Sequence, residues 1–220
     1  MDFKRITLLC GHYGSGKTNI AVNLAFLLKK QHERVAIADL DIVNPYFRSS
    51  DSKAALEKAG ISLICSEFAN TNIDAPALPQ QMYAVTADQS LTAVLDIGGD
   101  ERGALSLGRL SGEILAENNY ENLFVINRYR PLTRDTGSLL EVMREIETAS
   151  RIPFTAIANN SNLGEETTAQ TVLDSLEYTA QVSALTGLPV KFTAVKEDLY
   201  KELVGKIPDL FAITLQKKVI

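Results

Sequence analysis

Short, continuous apolar runs alternate along the chain with longer stretches in which apolar residues return every three or four positions. The first pattern predicts strands buried on both faces, the second amphipathic helices. Strands are expected at residues 6–10, 35–38, 62–65, 93–95, 123–126, 154–158 and 190–195. Helices are expected at 18–31, where Ile20, Leu24, Leu27 and Leu28 share a face, and at 52–58, with Ser50 and Asp51 able to cap it and Gly60 to end it. Further helices are expected at 104–116, at 135–149 with Leu139, Leu140, Met143 and Ile146 on one side, and at 165–184. The polar, proline-containing stretch 66–79 reads as a loop, and the C-terminal stretch as mostly helical. Buried strands separated by helices imply crossover connections and an α/β fold built on a mainly parallel sheet. Such sheets bind ligands at the C-terminal ends of their strands, so chemistry is sought in the residues just after each one.

Residues 11–18, GHYGSGKT, fit the phosphate-binding pattern G-x-x-x-x-G-K-[ST] and lie between an expected strand and an expected helix, the context that pattern requires. Gly11, His12, Tyr13, Gly14, Ser15 and Gly16 supply a loop whose backbone N–H groups can turn toward phosphate oxygens, and the helix start adds its positive dipole end. Lys17 would reach the β- and γ-phosphates and Thr18 would offer its hydroxyl to Mg²⁺. A dinucleotide fingerprint does not fit, because Asn19 stands where the third glycine would be. A metal-organising acid is then needed at the end of a neighbouring strand, and Asp96 in LTAVLDIGGDERG fills that place. Gly98 and Gly99 follow it, and a glycine there can bring a backbone N–H up to the γ-phosphate. A second acidic site, Asp39-Leu40-Asp41, follows the second strand; an acid there can orient metal-bound or attacking water, and a polar turn into Asn44-Pro45 is the other reading.

Composition narrows the class. The chain has 220 residues without repeat, low-complexity segment or Gly/Ser linker, so one domain over 1–220 is expected. A net charge of −5 argues against a broad nucleic-acid surface. Two cysteines, Cys10 and Cys65, without a C-x-x-C, argue against a disulfide framework and point to a reducing cytoplasm. The apolar run at the N-terminus is too short for a signal peptide or a membrane span.

GHYGSGKT, the DLD after the second strand and the DIGG after the fourth together resemble the MinD/ParA/CobQ type of P-loop ATPase, the SIMIBI class, in order and spacing over nearly the whole chain. The resemblance implies a three-layer fold with a seven- or eight-stranded, mainly parallel sheet, Mg-ATP binding, slow hydrolysis and a nucleotide-dependent homodimer. On the matching motifs, Asp41 takes the place of the water-activating acid, Asp96 that of the metal-linked acid, and Asp39 that of the first acid of D-x-D. The resemblance also places an Asn after the sixth strand against adenine, where AIANNSNLGEET offers Asn159 first and Asn160 second. No N-K-x-D run is present, which favours ATP over GTP. One departure stands out. Many members carry K-G-G-x-G-K-[ST], whose first lysine reaches a partner's phosphates; here that lysine is His12 and a glycine is Tyr13. An imidazole is shorter and carries no permanent charge.

Three further stretches carry candidate chemistry. SEFANTNIDAPALPQQM, with Asn70, Asn72 and Asp74, could bind a second substrate or partner, and an ordered connector is the plainer reading. NRYRPLTRD, with Arg128, Arg130 and Arg134, could meet an acidic ligand or a partner's phosphates, a solvated loop being the plainer reading. The tail IPDLFAITLQKKVI reads as a docking helix, its charge too low to prefer a membrane surface. Neither cysteine lies where an iron–sulfur cluster bridged by two subunits would need it. The expected function is a Mg-ATP-dependent switch acting on a protein partner, for example in cofactor or metallocentre maturation. The alternative is an ATP-dependent ligase or kinase of a small carboxylate or amide. Neither nucleic acid nor a stable membrane anchor is expected.

Overall fold

The computed structural model describes residues 1–40, 50–65, 81–99 and 101–215. Its strands are β1 (Ile6–Cys10), β2 (Val35–Leu40), β3 (Ile61–Cys65), β4 (Thr92–Ile97), β5 (Tyr120–Ile126), β6 (Ala156–Asn159), β7 (Val190–Lys196) and β8 (Leu210–Ile213). Its helices are α1 (Lys17–Lys29), α2 (Ser50–Lys58), α3 (Met82–Ala87), α4 (Glu101–Gly108), α5 (Ser111–Glu117), α6 (Thr136–Ser150), α7 (Ala169–Leu173), α8 (Leu176–Thr186) and α9 (Glu197–Leu203). The eight strands form one sheet in the order β3-β2-β4-β1-β5-β6-β7-β8, and every strand pairing among the described residues is parallel. The α/β expectation therefore holds at its upper strand count.

β1 is continuously apolar because both its faces are covered. Leu9 packs with Ile20, Leu24 and Leu28 of α1, and with Val94 and Val125 of the flanking strands. Ile6, Leu8 and Cys10 face the other way, onto Leu107, Ile114, Leu139, Ile146 and Val182. A strand buried on both sides shows no alternation of polar and apolar residues. β1 lies between β4 and β5. The connections diverge on either side of it, the place where sheets of this kind bind ligands. Among the described residues no helix is long and apolar enough to cross a membrane.

Several expected elements are corrected. The helix expected at 104–116 is two helices: a Cβ on Gly108 would lie 3.0 Å from the Ala149 carbonyl oxygen, and Ser111 Oγ takes the Gly108 carbonyl at 2.8 Å, so α4 ends there against α6. The helix expected at 165–184 is α7 and α8, separated where Ser175 Oγ donates to the Val172 carbonyl at 2.7 Å. α3 was not expected; it is a short helix with Met82 and Val85 buried. Ser50 and Asp51 are the first residues of α2 rather than a cap before it. The loop expected at 66–79 lies outside the described residues.

The largest correction is the tail. Among the described residues only α9 is helical beyond β7, and within the segment expected to dock as a helix Leu210–Ile213 form the edge strand β8, with Phe211 and Ile213 buried and Ala212 exposed between them. A short run of Leu, Phe and Ile fits both periods, so tertiary packing decides. Here the Phe211 ring meets the Phe192 ring of β7 with centroids 5.0 Å apart.

Two measurements check this architecture. Phe211→Ala should lower the urea-derived unfolding free energy by about 3 kcal/mol, the low end for a buried Phe; a change within the roughly 0.5 kcal/mol typical of surface sites would contradict the packed strand. Burial pushes the Cys10 thiol up from 9.0 to about 12, Lys17 opposing the rise and Asp96 adding to it. The unfolded chain would ionise this thiol first, so its contribution to stability is full below pH 9.0 and is lost as pH climbs toward 12. In native protein at neutral pH a thiol reagent should modify half-buried Cys65 and reach Cys10 only on unfolding. Equal rates for both would contradict the buried β1.

Candidate phosphate-binding site

The loop 11–18 leaves β1 and enters α1 through Gly16, which is left-handed at φ +89°. A Cβ there would stand 2.2 Å from Asn160 Nδ2, so glycine is required on both counts. Asn160 donates that same amide to the Ser15 carbonyl at 2.7 Å, tying the loop to the end of β6. At its start the loop lies on β5, where a Cβ on Gly11 would come within 2.4 Å of the Val125 carbonyl oxygen. Ser15 N–H donates to the His12 carbonyl at 3.1 Å and closes the turn between.

The interior of this loop suits an anion. α1 begins with no side-chain cap and no acidic residue in its first turn, so its leading N–H groups remain for a ligand. Ser15 Oγ is buried and has no hydrogen-bond partner among the described residues. Lys17 is 5% exposed, and its Nζ donates to the Gly11 carbonyl at 3.0 Å and the His12 carbonyl at 3.3 Å, so its charge sits inside the loop. His12 is half-buried, with Nδ1 2.9 Å from the Tyr13 carbonyl oxygen, and the Tyr13 ring is 58% exposed rather than packed in the core.

The acids arrive from the neighbouring strands. β2 and β4 both run further than expected, so Asp39 and Asp96 are strand residues and stand opposite each other in parallel register. Side chains in register leave a sheet on the same face. Thr18 Oγ1, at the start of α1, donates to Asp96 Oδ2 at 2.5 Å, joining the loop to the end of β4. A hydroxyl and two carboxylates are hard oxygen donors, a set that fits Mg²⁺ held largely by phosphate and water. Among the described residues no group of three or more His, Cys, Asp or Glu forms a metal cluster of another kind. Gly99 presses on the loop itself: a Cβ there would be 2.5 Å from Tyr13 N, so only glycine permits this approach. Asp41 lies outside the described residues.

Of the two asparagines after β6, Asn160 is brought to the loop and Asn159 is not. Asn159 is buried, donating from Nδ2 to Ser175 Oγ at 3.0 Å and accepting Ser161 N–H at 3.1 Å, so both ends of its amide are engaged in the scaffold. A cleft beside Asn160 is lined by Asn162, Thr167, Val172, Val195 and Lys196. Lys196 is held there by Glu165 at 3.2 Å and Asp198 at 3.6 Å.

Asn127, which the sequence did not single out, and Arg130, one of the three arginines it offered for an acidic ligand, complete the surroundings. Asn127, just beyond β5, is buried and accepts from Tyr129 N–H at 3.0 Å while donating to the Asn162 carbonyl at 3.3 Å, joining the β5 and β6 loops. Arg130 donates from Nε to the Gly14 carbonyl at 2.8 Å. The position after the central strand was the signal for both, since β5 is hydrogen-bonded to β1.

Comparisons with known proteins agree with the fold. In fold, the chain is similar to the cell division protein FtsY of Thermotoga maritima, with a TM-score of 0.54 and 19% identity over 86% of this chain and 61% of that one. It is also similar to the signal recognition particle 54 kDa protein of Aeropyrum pernix K1 in complex with GDP, with a TM-score of 0.56 and 19% identity over 87% of this chain and 41% of that one. FlhF complexed with GTP/Mg²⁺ gives a TM-score of 0.53 and 18% identity over 87% of this chain and 66% of that one. The chain thus spans 41–66% of the length of these proteins. A comparison with curated protein sequences gives no match. Residues 6–185 match the CobQ/CobB/MinD/ParA nucleotide binding domain. That stretch runs from β1 through α8 and contains the loop, both strand-end acids and Asn160, and the chain belongs to this nucleotide-binding family.

Proposed function

We propose that the protein binds Mg-ATP in loop 11–18, hydrolyses it slowly and works as a nucleotide-dependent switch on a protein partner. The observation that carries the reading is the bond from Thr18 to Asp96 at 2.5 Å, with Asp39 in register beside Asp96. It joins the phosphate loop to the strand-end acids at the place where a triphosphate and its metal would meet.

The residues take the following roles. Backbone N–H groups of Gly14, Gly16, Lys17 and Thr18 cradle the phosphates, and the Lys17 ammonium turns from the loop carbonyls to the β- and γ-oxygens. Thr18, Asp96 and Asp39 would hold Mg²⁺, which when bound neutralises charge between those oxygens. Asp41 orients the attacking water. Gly99 already touches the loop backbone at Tyr13, so a γ-phosphate arriving there must engage or displace it. That displacement gives α4, which follows directly, a means of reporting the nucleotide's state.

The base would lie outside the loop on the Asn160 side. The absence of an N-K-x-D run supports ATP, although FlhF and the 54 kDa protein are described with guanine nucleotides. The free thiols Cys10 and Cys65 suit a reducing cytoplasm. A homodimer closing over the nucleotide is the form the switch would take.

Two experiments test the reading. Lys17→Ala should weaken ATP binding about 100-fold or more, measured by calorimetry; tight binding by that variant would overturn the phosphate-loop assignment. Asp41→Ala should bind ATP but turn it over at most about a hundredth as fast, and it should run as a dimer with ATP and a monomer without it in light scattering. An unchanged oligomer, with turnover raised only by a small carboxylate, would favour a ligase or kinase instead.

A further inference from the structure

The turn after β5 carries Arg128, Arg130 and Arg134, and they are not equivalent. Arg128 is spent on the Asp174 carbonyl, to which its Nη1 donates at 2.5 Å. Arg134 lines a polar cleft with Asp135, Glu177 and Gln181, away from the loop. Arg130 lies on the phosphate loop: besides the 2.8 Å bond from Nε to the Gly14 carbonyl, a Cβ on Gly14 would stand 3.4 Å from Nε and 3.7 Å from Cζ. Its guanidinium is thus stacked over a residue that has no side chain to push it away. Among the described residues no carboxylate pairs with Arg130.

The backbone beneath Arg130 is fixed. Pro131 restricts the preceding residue to extended conformations, and Arg130 sits at φ −96°, ψ 138°. Its N–H donates to the Asn127 carbonyl and its carbonyl accepts from Thr133 N–H, each at 3.1 Å. Thr133 Oγ1 returns to the Asn127 carbonyl at 2.8 Å, and the Tyr178 hydroxyl on α8 donates to the Thr133 carbonyl. The turn thus fixes where this side chain starts, and the bond to the Gly14 carbonyl fixes its guanidinium on the loop.

We infer that Arg130 supplies, from within the same chain, the positive charge at the terminal phosphate that a lysine at position 12 would otherwise bring from a partner. The inference rests on the nucleotide reading above. In the reaction, water oxygen bonds to the γ-phosphorus as the bond to the β–γ bridging oxygen breaks. That oxygen departs with the electron pair on the diphosphate, and the water proton leaves with the phosphate product or to solvent. Arg130 stays protonated throughout and donates hydrogen bonds to oxygens whose charge grows in the transition state.

The test compares the full chain as wild type, Arg130→Gln, which keeps a hydrogen-bond donor without charge, and Arg130→Lys, which keeps the charge. ATP hydrolysis, ADP affinity by calorimetry and trapping of ADP by aluminium fluoride are read in each. Arg130→Gln should hydrolyse ATP about 100-fold more slowly and lose aluminium fluoride trapping, with ADP affinity within roughly threefold of wild type. Arg130→Lys should recover about a tenth of the wild-type rate or more. Wild-type hydrolysis and trapping by Arg130→Gln would overturn the inference. So would a fall in ADP affinity that matches the fall in rate, since that marks a structural clamp on Gly14. In either case the nucleotide reading survives as long as wild type binds ATP through Lys17. If wild type binds no nucleotide, that reading fails first and the inference with it.

Discussion

Backbone N–H groups at a helix start receive an anion best when the loop that carries them is fixed in shape beforehand. Residues 11–18 close on themselves from Ser15 N–H to the His12 carbonyl and are braced from outside at four further points. The Val125 carbonyl of β5 lies under Gly11, the Asn160 amide from the end of β6 holds the Ser15 carbonyl at 2.7 Å, and Gly99 beyond β4 touches the backbone at Tyr13. Arg130 caps the Gly14 carbonyl from the fourth direction. Each contact comes from the C-terminal end of a strand or the residues just past it, so the loop depends on the parallel sheet that delivers those ends together. The strands beside β1 bring three of the four: Gly99 follows β4, and Val125 and Arg130 lie in and after β5.

What could be read from the sequence follows from this division. GHYGSGKT and the acid at the end of β4 are local patterns, each carried by a few adjacent residues with a mechanical reason for their spacing, and both stand where expected. The partners that shape the loop are remote. Asn160 is 145 residues from Ser15, and Arg130 is 116 residues from Gly14. Their place after a strand marks both as candidates, but which loop atom each meets depends on the strand order. The broken helices failed for a similar reason: Gly108 and Ser175 interrupt helical patterns because of what they meet in α6 and β6, which periodicity does not see. The tail was misread because four residues, LFAI, are too few to tell a strand from a helix without the Phe192 ring beside them.

Asn159 shows how a family pattern and a local structure can part. The resemblance placed an asparagine after the sixth strand against the base, and two adjacent ones were available. The fold uses the first as scaffold, through Ser175 at the junction of α7 and α8, and puts the second on the loop. The substitution at position 12 has the opposite character. His12 removes a long cationic side chain from the loop, while Arg130 brings a guanidinium onto the loop from within the same chain. A charge carried in cis would leave hydrolysis less dependent on a second copy of the chain than a charge carried by a partner.

The central claim is that this braced loop is a nucleotide site, and calorimetric titration of the wild-type protein with ATP, GTP and inorganic triphosphate, with and without Mg²⁺, tests it most directly. The account predicts saturable binding of one nucleotide per chain, strengthened by Mg²⁺, with ATP preferred over GTP and triphosphate alone weaker than either. No heat of binding from any of the three at millimolar concentration would contradict it.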